Sequence, residues 1–338
     1  MLKRYVRDLL VNPVLVPAVR MLRAPTTILV AHRFELEPTG ADVVTRQSLR
    51  SMLAHVRRAQ YTVLTLRGLV DMLNEGMAPP RNAIVFTVDD GYADFAEIAV
   101  PVFAEFDCPV TVFITTGPVD RSTWFWWDRL TCAFENTTSQ SLTITIDGDE
   151  QRYAWRHRLE AQAEAQRLAD RLKLLSNAER LDEVDRVSGL LGVDTSGTPP
   201  DAYAALTWEA IRSLSSTGLV DVGPHTVTHP ILSRLTPEQV HFEIHESCRR
   251  LREMYPAMIP IFAYPNGKEG DYSESVIRVI RETGCIAAVT TEQEHVMRPT
   301  NPSSRFLLPR LAMPARLDAF TQVVSGVESL KSRLRRAL

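Results

Sequence analysis

Eight short apolar runs recur along the 338-residue chain, each rich in Val, Ile, Phe and Thr. They read "TILVAH", "YTVLTL", "AIVFTV", "VTVFITT", "LVDVGPH", "IPIFAYP", "CIAAVTT" and "FLLPRLAM". A strand that is apolar on both faces has to be covered on both faces, which is the condition of a parallel sheet wrapped by helices. With helical patterns in the intervals, the chain predicts an α/β fold of βα units closing into a distorted parallel barrel of seven or eight strands. The helices carry their own punctuation. In "TPEQVHFEIHESCRRLREMY", Thr236 is an N-cap, Pro237 opens the helix and Gln239 completes a capping box, with Val240, Ile244, Cys248 and Leu251 as the core stripe. "YSESVIRVIRETG" ends on Gly284, a left-handed C-cap.

One region breaks the rhythm. Between "FITTGPVD" and "LTWEAI" lie the aromatic "WFWWDRL", a hairpin pattern "SLTITIDGDEQRYAW" and a charged helical stretch from Arg156 to Leu190. This reads as an insertion on a βα connection, where barrels accept extra structure that walls the substrate. The expected division is an N-terminal helical extension over 1–26, barrel over 27–117, insertion over 118–205, barrel again over 206–316 and a C-terminal helix over 317–338. Trp124, Phe125, Trp126 and Trp127 read as packing within the insertion rather than as a sugar platform.

Composition excludes several functions. A net charge of -3 supplies no basic field for nucleic acid. The four cysteines, Cys108, Cys132, Cys248 and Cys285, are scattered without a CxxC pair, as in a reducing compartment. The basic N-terminal segment is broken by Asn12, Pro13, Pro17 and Arg20, so it reads as mature sequence and the chain as a soluble, cytoplasmic one. The basic ends, including "SLKSRLRRAL", could touch the inner membrane face peripherally, but read first as solvated helix ends.

In a βα barrel, reactive groups come from the C-terminal ends of several strands at once. Those ends carry His32, the adjacent pair Asp89 and Asp90, His225 and His229, Tyr264 and Arg310. Adjacent carboxylates disfavour each other's ionisation, so the pair calls for a cation, a helix N-terminus or a shared proton. The two imidazoles of "HTVTH" with a carboxylate form a common divalent-metal set that leaves positions open for water or substrate. His241 and His245 repeat the spacing, but beside the core stripe of a surface helix, where they read as solvated.

Taken together, these segments resemble a known family. "TVDDGYAD" resembles the TFDDG motif, and "GPHTVTHPILSRLT" the H(S/T)xxH motif, of NodB-type polysaccharide deacetylases. "FAYPNGKEGDYS" and "LPRLAM" are similar to later segments of the group, and "ILVAHRF" and "LTWEAIRSL" to flanking elements of its bacterial exopolysaccharide branch. The resemblance runs from Thr27 to Pro314 apart from the insertion. It implies a metal held by Asp90, His225 and His229, zinc first, with cobalt, nickel or iron also acceptable to the set. It further implies Asp89 as general base and the backbone N-H of Tyr264 as a donor to the oxyanion.

Two elements of the family pattern are missing. No arginine stands ahead of "FAYP", where Pro260 and Ile261 occur, to orient the base. The late Leu-x-His that would supply a general acid is replaced by Arg310, which holds its proton at neutral pH. Of eight histidines, two are ligands, His241 and His245 lie on a helix surface, and His55 and His157 lie in helical stretches. His32 is then the candidate acid, ahead of His295. The expected activity is metal-dependent removal of an N-acyl group, acetyl first, from an amino sugar of a glycan or glycan precursor. The alternatives are a catalytically inactive glycan-binding barrel in a polysaccharide assembly complex, and a hydrolase of a formyl or non-sugar amide.

Overall fold

The computed structural model describes residues 26–37, 43–214, 217–296 and 302–326. Most of the expected extension over 1–26 and the end of the expected C-terminal helix lie outside the described residues; Leu317–Val324 is helical. Among the described residues twelve strands follow in order: β1 Thr27–Ala31, β2 Phe34–Glu35, β3 Val44–Thr45, β4 Thr62–Val63, β5 Ala83–Val88, β6 Val110–Ile114, β7 Ser141–Ile146, β8 Asp149–Ala154, β9 Val220–Pro224, β10 Ile261–Ala263, β11 Ala287–Val289 and β12 Leu311–Ala312.

The main sheet runs β12-β1-β5-β6-β9, with β4 alongside the start of β5, and all of its pairings are parallel. Single backbone bonds continue it. Ile259 N donates to Val222 O at 2.8 Å, joining β9 to the segment entering β10. β10 pairs with β11, and Leu308 N donates to Ala288 O at 3.1 Å, bringing the chain back beside β11 just before it becomes β12. Successive neighbours therefore run from β1 through β5, β6, β9, β10 and β11 to β12 and back to β1, in part by isolated bonds rather than a full ladder.

Alternation sorts the strand side chains onto two faces. Leu29, Phe86, Val88, Val110, Val112 and Val222 join the larger core, with Leu49, Met52, Leu53 and Val56 of the helix Arg46–Arg58. Ile28, Val85, Phe113, Ile261 and Val289 face a second core, together with Leu66, Leu69 and Val70. The second set lies on the inner face, and the phase carries onward to Thr87 and Asp89 on β5, Thr115 after β6 and His225 after β9. "YTVLTL" contributes only Thr62–Val63 as strand, because Thr65 caps the helix Leu66–Asn74 and ends the extended run.

The insertion has a core of its own. The helix Trp126–Asn136, the antiparallel hairpin β7–β8 and the helices Arg158–Leu172 and Asn177–Leu190 bury Leu130, Phe134, Ile144, Tyr153 and Leu168 together. The hairpin turns at Asp147 and Gly148, both left-handed with φ of 52° and 80°, as a two-residue turn matched to strand twist requires.

Gly223 marks the tightest approach on the inner face: a Cβ there would lie 2.7 Å from Phe113 Cε1 and 2.8 Å from Ile261 O. Gly223→Ala is expected to lower stability by about 1–3 kcal/mol, the usual cost of overpacking. An unchanged midpoint in urea unfolding would show that β9 and β10 can move apart freely.

Candidate active site

Asp89 and Asp90 are consecutive, so in a regular strand they would point to opposite faces. The left-handed φ of 74° at Asp90, followed by 84° at Gly91, breaks the pleat and turns both carboxylates to the same mouth. Such a backbone in a non-glycine residue costs energy and is typical of functional sites. Both acids are buried.

Asp89 is gripped by Arg310, whose Nη1 and Nη2 donate to Oδ1 and Oδ2, each at 2.6 Å. The guanidinium is wholly buried, and it also donates to Thr290 O at 2.9 Å and to Thr87 Oγ1 at 3.1 Å. Burial is the largest single influence and pushes the Asp89 carboxyl up, but the charge and hydrogen bonds of Arg310, together with the neighbouring His225, jointly hold the group below its ordinary range. This corrects the sequence expectation that nothing orients the base. The arginine reaches Asp89 from the segment entering β12, not from the segment before "FAYP".

Around Asp90 the geometry is that of a ligand set. His225 Nε2 and His229 Nε2 lie 3.5 and 3.4 Å from Asp90 Oδ1, close to the about 3.4 Å edge of a tetrahedron with metal-ligand bonds near 2.1 Å. Asp90 Oδ1 is buried without a hydrogen-bond partner, an expensive state for a carboxylate that a cation would relieve. The His225 Nδ1 stands 2.8 Å from Ala263 O, so it carries the proton and leaves the Nε2 lone pair facing Asp90. Burial pulls His229 down to about 3, which keeps its imidazole neutral. The residues present therefore fit a divalent cation, with Asp90, His225 and His229 as the donors that could hold it.

The loop between the two histidines is braced. Thr226 and His229 are left-handed, with φ of 69° and 59°. Glu243, reaching up from the helix Pro237–Met254, accepts from Val227 N at 2.8 Å, Thr228 N at 2.9 Å and Thr228 Oγ1 at 2.5 Å.

A cavity of about 460 Å³ opens onto Asp89, Asp90 and His229. His32 lies on its rim, exposed, after β1. Asn266 and Thr291 line it from the loops after β10 and β11, and Trp126, Trp127, Asp128, Gln166 and Lys173 from the insertion. The insertion is thus a wall of the site. Trp127 packs edge-on to His229 with ring centroids 4.7 Å apart, so part of the aromatic cluster does face the cavity while Trp124 and Phe125 are buried. Asp128 is buried, and burial lifts its carboxyl to about 7.

Other expected residues fall elsewhere. The backbone N-H of Tyr264 donates to Val289 O at 3.2 Å, and its hydroxyl to Phe306 O at 3.1 Å. This is a correction: strand pairing takes up the donor that the resemblance assigned to the oxyanion. His295 bonds Thr27 Oγ1 at 3.0 Å, at the opposite end of β1 from His32. His241 and His245 stack at 3.9 Å on the outer face of their helix, near Glu282.

The polysaccharide deacetylase family model matches residues 76–288, more than half of the chain, and the chain belongs to that family. The Bacillus subtilis (strain 168) protein YxkH, named for the same family, is 31% identical over 87 residues, which is 26% of this chain and 30% of YxkH. Among solved structures, the Streptococcus pyogenes deacetylase PplD in complex with acetate aligns with a TM-score of 0.58 at 15% identity, covering 89% of this chain and 98% of its own. IcaB from Ammonifex degensii aligns at 0.55 and 16%, covering 88% and 97%. The BpsB deacetylase domain from Bordetella bronchiseptica aligns at 0.53 and 14%, covering 86% and 96%. At these identities the structures share the fold.

Two predictions follow from the braces. Glu243→Gln, which keeps the shape and loses the charge, is expected to weaken zinc affinity about 10- to 100-fold, the usual effect of removing a group that orients ligands; competition with a chelator measures it, and unchanged affinity would leave the loop self-supporting. Arg310→Met strands a buried carboxylate and should cost about 3–5 kcal/mol at neutral pH in metal-free protein. The pH dependence should reverse. In the parent Asp89 is depressed, so its contribution is present above the ordinary carboxylate range and fades as pH falls through the lowered value. In the variant burial alone raises Asp89, so stability should grow as pH falls. Parallel urea profiles for the two proteins from roughly pH 3 to 8, a range that starts below the ordinary carboxylate value, would refute the pairing's role.

Proposed function

We propose that this family member is a metal-dependent N-deacetylase acting on an amino sugar of a glycan or glycan precursor. The observation that carries the proposal is the Asp90, His225 and His229 set, with the two Nε2 atoms 3.5 and 3.4 Å from Asp90 Oδ1, standing beside a carboxylate that Arg310 keeps ionised. A divalent cation bound there, zinc first by the donor set, would polarise the acyl carbonyl and acidify a water.

The protein's own groups do the rest. Asp89 is placed to take the proton of the attacking water, because His225 Nε2 lies 3.9 Å from its Oδ2 and the Asp90 ligand is the next residue. Arg310 occupies one direction of each Asp89 oxygen, leaving further lone pairs for water. Trp127 and Trp126 offer flat apolar surface to a sugar ring, and Gln166, Lys173 and Asn266 offer polar contacts to its hydroxyls. His32, the acid candidate of the sequence, stands exposed at the mouth of the cavity. The inactive, binding-only alternative leaves the Asp89–Arg310 pair beside the ligand set without a purpose.

Release of acetate or formate from monomeric, lipid-linked and polymeric N-acyl amino sugars tests the reading. Acetate release is expected with zinc-loaded protein, together with loss of bound metal in the His225→Ala, His229→Ala variant. Asp89→Asn should keep its metal and lose about two to four orders of magnitude in turnover. No acyl release from any of these substrates by the metal-loaded protein would overturn the proposal, and metal loss in Asp89→Asn would make Asp89 a ligand.

A further inference from the structure

The reaction needs a proton for the departing nitrogen, and neither Arg310 nor the ligand histidines can give one. We propose that Asp128, contributed by the insertion, is the general acid that protonates the leaving amine, an inference that rests on the deacetylase reading above.

The geometry begins with hydrogen-bond directions. Asp128 lies in the first turn of the helix Trp126–Asn136 and lines the same cavity as Asp89, Asp90 and His229. Trp127 Nε1, which can only donate, donates to Tyr92 Oη at 3.0 Å. The single phenolic proton of Tyr92 is then free to go to Asp128 Oδ2, 2.6 Å away. Oδ2 is an acceptor in this chain of bonds, so a proton held by the carboxyl sits on Oδ1. Arg33, whose guanidinium lies 4.0 Å above the Tyr92 ring and is tied to Asp94 at 2.5 Å, closes the network on the other side.

The surroundings favour a protonated carboxyl. Burial is the dominant influence, and Asp90 and Asp94 act in the same direction; Arg33 and the Tyr92 bond oppose them without prevailing. Tyr203 and, on its own helix, Cys132 also face it and stay neutral near pH 7. A buried carboxyl that keeps its proton in the cavity is suited to giving it up in the transition state.

The step balances. Water adds to the acyl carbon and its proton passes to Asp89. The carbon-nitrogen bond then breaks with its electron pair on nitrogen, which takes the proton from Asp128. A carboxylic acid and a neutral amine leave. Asp89 returns its proton to solvent, and Asp128 is reprotonated from solvent by way of the mouth where His32 stands.

The test compares zinc-loaded wild type, Asp128→Asn, Asp128→Glu and His32→Gln on chitopentaose, an N-acetylated amide, and on 4-nitrophenyl acetate, whose phenolate leaves without a proton. Asp128→Asn is expected to lose at least about 100-fold in kcat on the amide and less than about tenfold on the ester, with metal content unchanged. Its pH profile should lack the alkaline limb that the wild type shows above neutrality, and Asp128→Glu should restore that limb. Equal losses on amide and ester with metal retained would make Asp128 structural and overturn the proposal. So would loss of the alkaline limb in His32→Gln while Asp128→Asn keeps it. A wild type inactive on chitopentaose, on the ester and on every monomeric, lipid-linked and polymeric N-acyl amino sugar of the panel would overturn the deacetylase reading itself; otherwise the comparison is made on whichever amide of that panel is cleaved. A wild type active on the amide beside an undiminished Asp128→Asn would overturn this inference alone.

Discussion

Three formal charges are buried at the mouth of the strand ring: Asp89, Asp90 and Arg310. The guanidinium neutralises Asp89 through two parallel bonds, which leaves Asp90 as a buried negative group whose Oδ1 has no hydrogen-bond partner. An uncompensated carboxylate in such a place is costly enough to unfold a marginal protein. Much of the mouth is arranged around that imbalance. The two imidazoles turn their Nε2 atoms toward Asp90, the Ala263 carbonyl fixes the tautomer of His225, and the Glu243 brace holds the loop that carries them. A cation bound there would turn this arrangement from a burden into a source of stability.

The scaffold delivers these groups by a simple rule. On β5 the inward residues are Val85, Thr87 and Asp89, and continuing the alternation on β6 and β9 leads to Thr115 and His225. Mostly apolar side chains fill the lower layers, and the charged and imidazole groups of the site stand where the strands end. Where the rule would send a needed group outward, as at Asp90, a left-handed residue overrides it. Site chemistry thus costs backbone strain at a few positions and leaves the strands regular.

Much of this was legible in the chain. Strand ends can be read from apolar runs, so Asp89, Asp90, His225 and His229 stood out, and the capped helices around Thr236 and Gly284 formed as their signals indicated. Contacts that depend on closing the ring could not be read. Arg310 is 221 positions from Asp89, and no local pattern says that its side chain crosses the inner face to reach it. The same holds for Tyr264, whose N-H is spent on a neighbouring strand 25 residues later in the chain, as the Val289 partner shows. Asp128 looked like one acid in an aromatic helix. Its burial, its bond to Tyr92 and its place in the cavity arise only when the insertion folds against the barrel loops.

The insertion buries its apolar residues in a cluster separate from those around the strands, yet it sends Trp127, Asp128 and Lys173 into the cavity. Cavity-lining residues of the insertion are therefore held by one hydrophobic core and the candidate ligand residues by another, with Trp127 against His229 as a point of contact between them. Substitutions away from that contact can repack the first without disturbing the second, because residues that do not touch couple weakly. A lineage built on this plan can change the glycan it accepts while its hydrolytic centre stays as it is.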